Sequence, residues 1–406
     1  MVMASAVVQH DEAAGADARP LVLVFRTRLL PLSETFIRNQ VLALRRWRAM
    51  LIGLQYVGGL ELSQLHCQLL SSCKMRPFPS VVRAVLRELN LPPPGVRRYL
   101  QDLRPALAHV HFGTDLVALW PMLNRLQVPI ITTLHGYDIN IHPTFWRRGW
   151  RASRRYPQRL LAISRDSRVQ FIAVSEAIKE RAIEFGLPAD RVAVRYIGVD
   201  TRQFAPAGKP IGARPRRILF VGRMVEKKCP TILIHAFDEV RQHVPDAELV
   251  MIGDGPLLES CRLLAASLRA PVQFLGAVRH SQVQQELDQA RVFCLPSITA
   301  ANGDAEGLGI AIVEAQAAGV PVVTSSRGGA GEAIEHGVTG YGFPESDRDA
   351  LSAALTRVLR DDGVATDMSA AARVRACSMF DLHQCTSLLE SLYDQSVHSV
   401  CRQALR

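Results

Sequence analysis

Short apolar runs recur along this chain, and the intervals between them hold turn signals or stretches of helical period. In the first half the runs are Leu21–Phe25, Val128–Leu134, Phe171–Val174 and Val192–Val194. Thr35–Trp47 reads as a helix, with Phe36, Val41, Leu44 and Trp47 near one face. Strands alternating with helices build a parallel sheet covered on both sides. The pattern stops at residues 205–216, where three prolines and two glycines stand in a stretch without apolar period. It then restarts. Strands are expected at Arg217–Val221, Glu248–Ile252, Val272–Leu275, Val292–Leu295 and Val320–Thr324. Helices are expected between them at Pro230–Val244, Pro256–Leu268, His280–Ala290 and Leu308–Ala318, and helical periods fill the chain from Asp347 onward. The expected fold class is therefore α/β: two doubly wound, Rossmann-like domains facing across a cleft, with a helical C-terminal tail. The boundaries read as a tail at 1–19, an N-domain at 20–204, a linker at 205–216, a C-domain at 217–375 and a helix at 376–406. A chain of 406 residues is comfortable for two cores and too long for one.

Charge is unevenly spread. Of the net +10, residues 1–200 carry +12, and the remainder carries −2. A basic half calls for an anionic partner there: a lipid headgroup, a phosphorylated acceptor or nucleic acid. No apolar run approaches the roughly 18 to 20 residues that span a bilayer. Residues 1–20 lack the basic start of a secretory signal, so the expected location is the cytoplasm. The eight cysteines form no CxxC pair and read as reduced structural thiols, with no metal site.

Five segments carry candidate chemistry. In AEGLGIAIVE (305–314), Glu306 lies in a loop with Gly307, Leu308 and Gly309, and Glu314 lies in the following helix. Free N–H groups at a helix start suit a phosphate, and carboxylates suit the hydroxyls of a sugar or ribose. Glu314 interrupts an apolar run, and a buried carboxylate requires a partner. The competing reading is a solvated Glu306 and a helix-surface Glu314. In VGRMVEKK (221–228), Arg223 ends a strand and Lys227 and Lys228 precede a helix. That suits a diphosphate, or is a solvated basic loop. His135, at a strand end beside Gly136, either points into the cleft to orient a leaving sugar or take a proton, or is structural. Ser33, Glu34 and Thr35 stand between the first strand and first helix. They contact a ligand there, on the acceptor side, or cap the helix. The arginines of 147–159 interleave with aromatics and meet lipid headgroups or nucleic acid, or form a solvated face.

In this order and spacing the segments resemble family 4 of the retaining glycosyltransferases. The resemblance is carried by GRMVEKK (222–228), IGDGPL (252–257), LPS (295–297), EGLGIAIVEAQAAGVPVV (306–323), GGAGEAI (328–334) and GVTGY (337–341). PLSETFI (31–37), HFG (111–113), HGYDI (135–139) and VSEAIKE (174–180) are similar to the branch that builds exopolysaccharide, colanic-acid-type enzymes among them. The resemblance implies the GT-B fold, with the C-terminal helix crossing back to the N-domain. It also implies transfer of a hexose from a GDP- or UDP-linked donor, with retention, to a saccharide acceptor that is lipid-linked at the inner membrane face. By position, Arg223 and Lys228 match the diphosphate clamp and Glu314 the ribose ligand. Glu306 matches the Glu near the donor sugar, Gly307 to Gly309 the loop touching that sugar, and His135 the catalytic-centre His. No metal, cofactor or nucleic acid is implied; the nucleotide sugar is a substrate. Cys229 stands where the family usually has Gly. The alternatives are a sugar-nucleotide epimerase of the same fold, which needs no acceptor, and a non-enzymatic basic surface-binding protein.

Overall fold

The computed structural model describes residues 17–31, 34–58, 60, 62–70, 95–148 and 154–404. The first sheet has seven strands: β1 (Leu21–Leu29), β2 (Arg48–Tyr56), β3 (Cys67–Leu69), β4 (Leu107–His111), β5 (Ile130–Leu134), β6 (Val169–Ala173) and β7 (Val192–Val194). Their order is β3-β2-β1-β4-β5-β6-β7. The second has six: β8 (Arg217–Val221), β9 (Glu248–Ile252), β10 (Val272–Gly276), β11 (Val292–Leu295), β12 (Val322–Ser325) and β13 (Gly340–Phe343), ordered β10-β9-β8-β11-β12-β13. Every pairing is parallel. Both orders reverse once, between β1 and β4 and between β8 and β11. Ligands of such sheets sit outside the strand carboxyl ends at that reversal.

Five strands of the second sheet stand where the sequence places them, β8, β9 and β11 with the same bounds; β10 is only partly buried, and the sixth, β13 (GYGF), has no apolar run to mark it and is not among those expected. Leu219, Phe220, Val292, Phe293, Cys294 and Leu295 are wholly inaccessible, and each such side chain contributes roughly 1.5–3 kcal/mol. The first sheet departs more from expectation. The helix expected at Thr35–Trp47 ends at Ala43, and Leu44 turns extended (ψ 132°) to lead into β2. Its apolar spacing runs on because Leu44 and Trp47 are buried beneath the C-terminal helix instead.

That helix, Leu382–Ala404, begins at Leu382 rather than at 376. A separate helix, Asp362–Met379, precedes it, and Asp381 between the two accepts from the backbone N–H of His383 (3.0 Å) and Gln384 (3.1 Å). Its Leu389, Leu392 and Tyr393 pack with Val22, Val24, Ile131 and Ile172 on one face of the first sheet. Buried Glu390 accepts from the N–H groups of Arg45, Arg46 and Trp47 at 2.9, 2.7 and 3.1 Å. The two chain crossings run side by side, with Val199 N–H donating to Phe380 O (2.8 Å) and Leu382 N–H to Val199 O (2.9 Å). Gly198 is required at that contact, since a Cβ there would stand 2.5 Å from Leu382 Cα. The 205–216 segment is docked: Arg214 donates to the carbonyls of Lys209, Leu287 and Ala290 (2.8, 2.9 and 3.0 Å). Six cysteines are free thiols, Cys73 lies outside the described residues, and nothing is described of the Cys401 side chain.

Candidate active site

The second sheet supplies a cationic cradle. Arg223 follows the carboxyl end of β8, stays exposed and has no partner among the described residues. A 3-10 turn, Glu226–Lys228, then brings Lys227 and Lys228 inward. Lys227 pairs with Asp304 at 3.1 Å, and Lys228 donates to Glu306, whose carboxylate also accepts from Ser297 at 3.4 Å. The Lys228 and Glu306 side chains are 13% and 14% exposed. Burial alone would raise the Glu306 carboxyl, but Lys228, Lys227 and the Ser297 hydroxyl draw it down to about 2. Burial lowers the Lys228 ammonium, and Arg223 and Lys227 lower it further against the pull of Glu306. Two carboxylates, Glu306 and Asp304, stand among three cations, so with Arg223 unpaired the local field stays positive and suits an anion.

Cys229, the residue that closes this turn, adopts φ +43° and ψ +51°. A left-handed backbone costs an L-residue with a Cβ about 1–2 kcal/mol and glycine almost nothing. The turn keeps the geometry of a glycine at a position that has lost it.

Glu306 lies in the loop, as expected, and the helix that follows runs Ile310–Ala317 rather than starting at Leu308. Gly309 ends the loop at φ +75°, and Ile312 N–H donates back to Gly309 O at 2.8 Å, leaving the N–H groups of Ile310 and Ala311 without a backbone acceptor among the described residues. Glu314, inside the helix, is nearly buried. The His280 ring stands near it, with Nε2 3.8 Å from the carboxylate, and burial holds that imidazole below the ordinary histidine range. Burial pushes the Glu314 carboxyl up to about 8. This is the unmet acceptor that a buried Glu among apolar residues implied.

The first sheet supplies the opposite wall. His135 follows β5, and its rim is set by Asp138, which is inaccessible and accepts from the N–H groups of Gly113 (2.9 Å), His135 (3.1 Å) and Gly136 (2.9 Å). That carboxylate ties the ends of β4 and β5 together. The His135 ring lies among Phe36 (5.0 Å between centroids), Phe112 (4.4 Å) and His111 (5.3 Å). Burial holds His135 neutral, well below the ordinary histidine range, with Arg26 and His109 adding to the effect.

Glu34 stands at the N-cap of the helix Thr35–Ala43 but its side chain caps nothing. It turns inward to pair with Arg26, at 2.9 Å to Nε, while Arg26 also pairs with Asp115 and lies over the Phe112 ring at 4.4 Å. A buried guanidinium needs this compensation. Thr35 is half-buried as the first helical residue, and Ser33 lies outside the described residues. Of the arginines at 147–159, residues 149–153 also lie outside them, and nothing is described of the Arg148 side chain.

The two walls touch. A Cβ on Gly307 would stand 2.2 Å from His135 O, so only glycine fits between the donor-side loop and the β5 rim. Ser175 Oγ donates to Gly307 O at 2.7 Å, and His142 N–H donates to Asn302 O at 2.9 Å. Glu332 reaches across to accept from the N–H groups of Glu176 (2.9 Å) and Ala177 (3.2 Å) and from the Tyr196 hydroxyl (2.7 Å). Lys228, Glu306 and Gly307 thus meet the His135 rim, with Arg223 at the end of β8, Leu308 and Gly309 next in the same loop and Glu314 inside the following helix; Glu34 pairs with Arg26, whose guanidinium lies over the Phe112 ring that packs on His135. Sequence reasoning missed Asp138, Ser175, Glu332 and His111. All four fall within quoted segments, and what was missing was the partner each meets across the fold.

Known proteins carry the same signature. The model described as Glycosyltransferase Family 4 matches residues 33–203, and that described as Glycosyl transferases group 1 matches residues 201–375. The amylovoran biosynthesis glycosyltransferase AmsK of Erwinia amylovora is 31% identical over 292 residues, 70% of each chain. A GDP-mannose-dependent alpha-(1-6)-phosphatidylinositol monomannoside mannosyltransferase of Mycolicibacterium smegmatis is 31% identical over 304 residues, 70% of this chain and 76% of that one. The crystal structure of Anabaena Alr3699/HepE in complex with UDP superposes with a TM-score of 0.75 at 20% identity, covering 93% of this chain and 100% of that one. The fold is therefore GT-B, as the resemblance implied. With both halves matched and a relative at this identity along most of its length, the chain belongs to family 4 of the glycosyltransferases.

Proposed function

We propose that this glycosyltransferase is a retaining, metal-independent hexosyltransferase of exopolysaccharide or cell-surface polysaccharide synthesis, moving a hexose from a nucleotide diphosphate donor to a lipid-linked saccharide. The observation that carries the reading is the positive cradle of Arg223 and Lys228, set against His135 through Gly307. The leaving diphosphate meets fixed cations and the start of the helix Ile310–Ala317, which stabilise charge as it develops and need no metal ion for that task. Glu314 accepts from the ribose hydroxyls. Glu306 is held beside the donor sugar by Lys228, and His135 faces that sugar from the other wall. The names of the relatives support the nucleotide-sugar and polysaccharide parts: one synthesises amylovoran, one depends on GDP-mannose, and the Anabaena structure holds UDP.

The acceptor side belongs to the rim of the first sheet, near Thr35 and the Arg26–Glu34 pair. Exposed Arg97, Arg98, Arg147 and Arg155 give that domain a basic face for the inner membrane surface. Among the described residues no helix is long and apolar enough to cross a membrane. A thermal-shift screen of GDP, UDP and their sugars tests the donor. A ligand at a hundred times its Kd adds roughly 2.7 kcal/mol of stability, and a chain that none of them stabilises overturns the reading.

A further inference from the structure

His111 ends β4 and His135 follows β5, and Nδ1 of His111 lies 3.1 Å from Nε2 of His135 with the ring planes 26° apart. His111 is 1% exposed, and its Nε2 is enclosed with no hydrogen-bond partner among the described residues. The next ring along β4 does not share this condition. His109 is satisfied at both nitrogens, by Tyr393 Oη at 2.6 Å and Thr133 Oγ1 at 2.8 Å. The charged group facing the pair is Arg26, which donates to His111 O at 3.4 Å and lies over Phe112. Beside that guanidinium and out of water, both rings are neutral.

Two neutral imidazoles that share an N···N hydrogen bond hold one proton between them. If His135 gave it, the His111 proton would sit on Nε2 as a buried donor with no acceptor, the rarer and costlier kind of orphan. If His111 gives it, a lone pair is left at Nε2, the milder defect. The proton then belongs to His111 Nδ1, the Nε2 lone pair of His135 is occupied, and the remaining proton of His135 sits on Nδ1.

We infer that His111 is a positioning residue that holds His135 as the Nδ1–H tautomer, so that His135 meets the donor sugar as a hydrogen-bond donor and takes no proton. This rests on the reading that His135 faces the donor sugar. It assigns the histidine to orientation and charge stabilisation, and it accounts for a reaction that needs no protein base at this wall. The residue that decides this belongs to the neighbouring strand and touches no substrate.

The test uses full-length protein labelled with ¹⁵N-histidine and long-range ¹H–¹⁵N correlation spectra, with His135 assigned from its loss in His135→Asn. The expected result is a protonated Nδ1 and an unprotonated Nε2; a His135 protonated at Nε2 overturns the inference. In His111→Leu the His135 signal is expected to shift toward the Nε2–H form, and kcat to fall about ten-fold with little change in KM for the donor. His111→Asn, whose amide N–H can replace the lost donor, is expected to restore most of both. Unchanged kcat and an unchanged His135 signal in His111→Leu also overturn it. Failure of the underlying reading looks different: His135→Asn would then keep full activity whatever the tautomer.

Discussion

The Lys228 ammonium donates a hydrogen bond to the Glu306 carboxylate, joining the turn after β8 to the loop before the helix Ile310–Ala317. The pair leaves Arg223 and part of the positive field unneutralised at the switch point of the second sheet. A diphosphate placed there completes the charge balance. Lys228→Ala is therefore expected to lower kcat/KM by about 10²–10³-fold, the scale of losing one fixed donor to developing charge. Steady-state transfer assays, alongside circular dichroism to show an intact fold, measure this, and full activity removes Lys228 from the site.

The same pair sets a response to acid. The folded carboxyl of Glu306 titrates near 2, below its unfolded value of 4.5. It contributes stability that is present above about 4.5 and is lost as pH falls toward 2. Glu306→Gln should flatten this part of the acid unfolding curve. Equal curves for the two proteins between pH 5 and about 2 would show that the carboxylate is not held by Lys228.

Glu314 behaves in the opposite sense, because burial raises its carboxyl to about 8. Its contribution to the free protein's stability is present below 4.5 and is lost as pH rises through about 8. Ribose hydroxyls favour the ionised form, so nucleotide binding should tighten as pH rises toward 8 and release a proton near neutrality. Calorimetry in two buffers of different ionisation enthalpy reads that proton directly. Glu314→Gln should abolish the release, and a wild-type protein that releases none contradicts the ribose assignment.

Cys229 offers a stabilising change. Its left-handed backbone is strained for any residue with a Cβ, and Cys229→Gly should relieve about 1 kcal/mol. Thermal unfolding is expected to move upward by a few degrees or less in a chain of this size. A fall in Tm would mean that the half-buried thiol contributes more by packing than the turn costs.

Glu332 links the domains by capping a helix that belongs to the other one. Losing an N-cap costs about 0.5–2 kcal/mol, and here the loss falls on the closed arrangement. Glu332→Ala should lower the Tm and raise the radius of gyration seen by small-angle scattering, with nucleotide reversing part of the expansion. An unchanged scattering profile would show that the remaining contacts, at Ser175, His142 and the C-terminal helix among them, hold the closed arrangement without Glu332.

Metal independence is tested by transfer in excess EDTA, where activity should persist. Donor incubated without acceptor should return no isomerised sugar nucleotide.

Much of this protein is local in origin. The strands β8, β9 and β11 are runs of mostly apolar residues that end at turn signals, so their bounds are legible in the sequence. Arg223, Lys228 and Glu306 stand out because strand ends and helix starts are positions the chain itself marks, and Glu314 because it interrupts an apolar run. What failed in the sequence was set by contacts made at a distance. β2 was hidden because Leu44 and Trp47 continue a helical spacing while packing under a helix that begins at Leu382. β4 was hidden because His109 and His111 break its apolar run, although both are buried. Glu34 read as a cap or a ligand, and its pairing with Arg26 needed β1 and the first helix in place. The link between His111 and His135 appears only once β4 and β5 are paired, and that between Glu332 and the helix Glu176–Phe185 only once the two sheets are assembled. Periodicity records which residues need burial, and that can be read along the chain. Which buried polar group meets which is fixed by strand order and domain closure, and those belong to the tertiary structure alone.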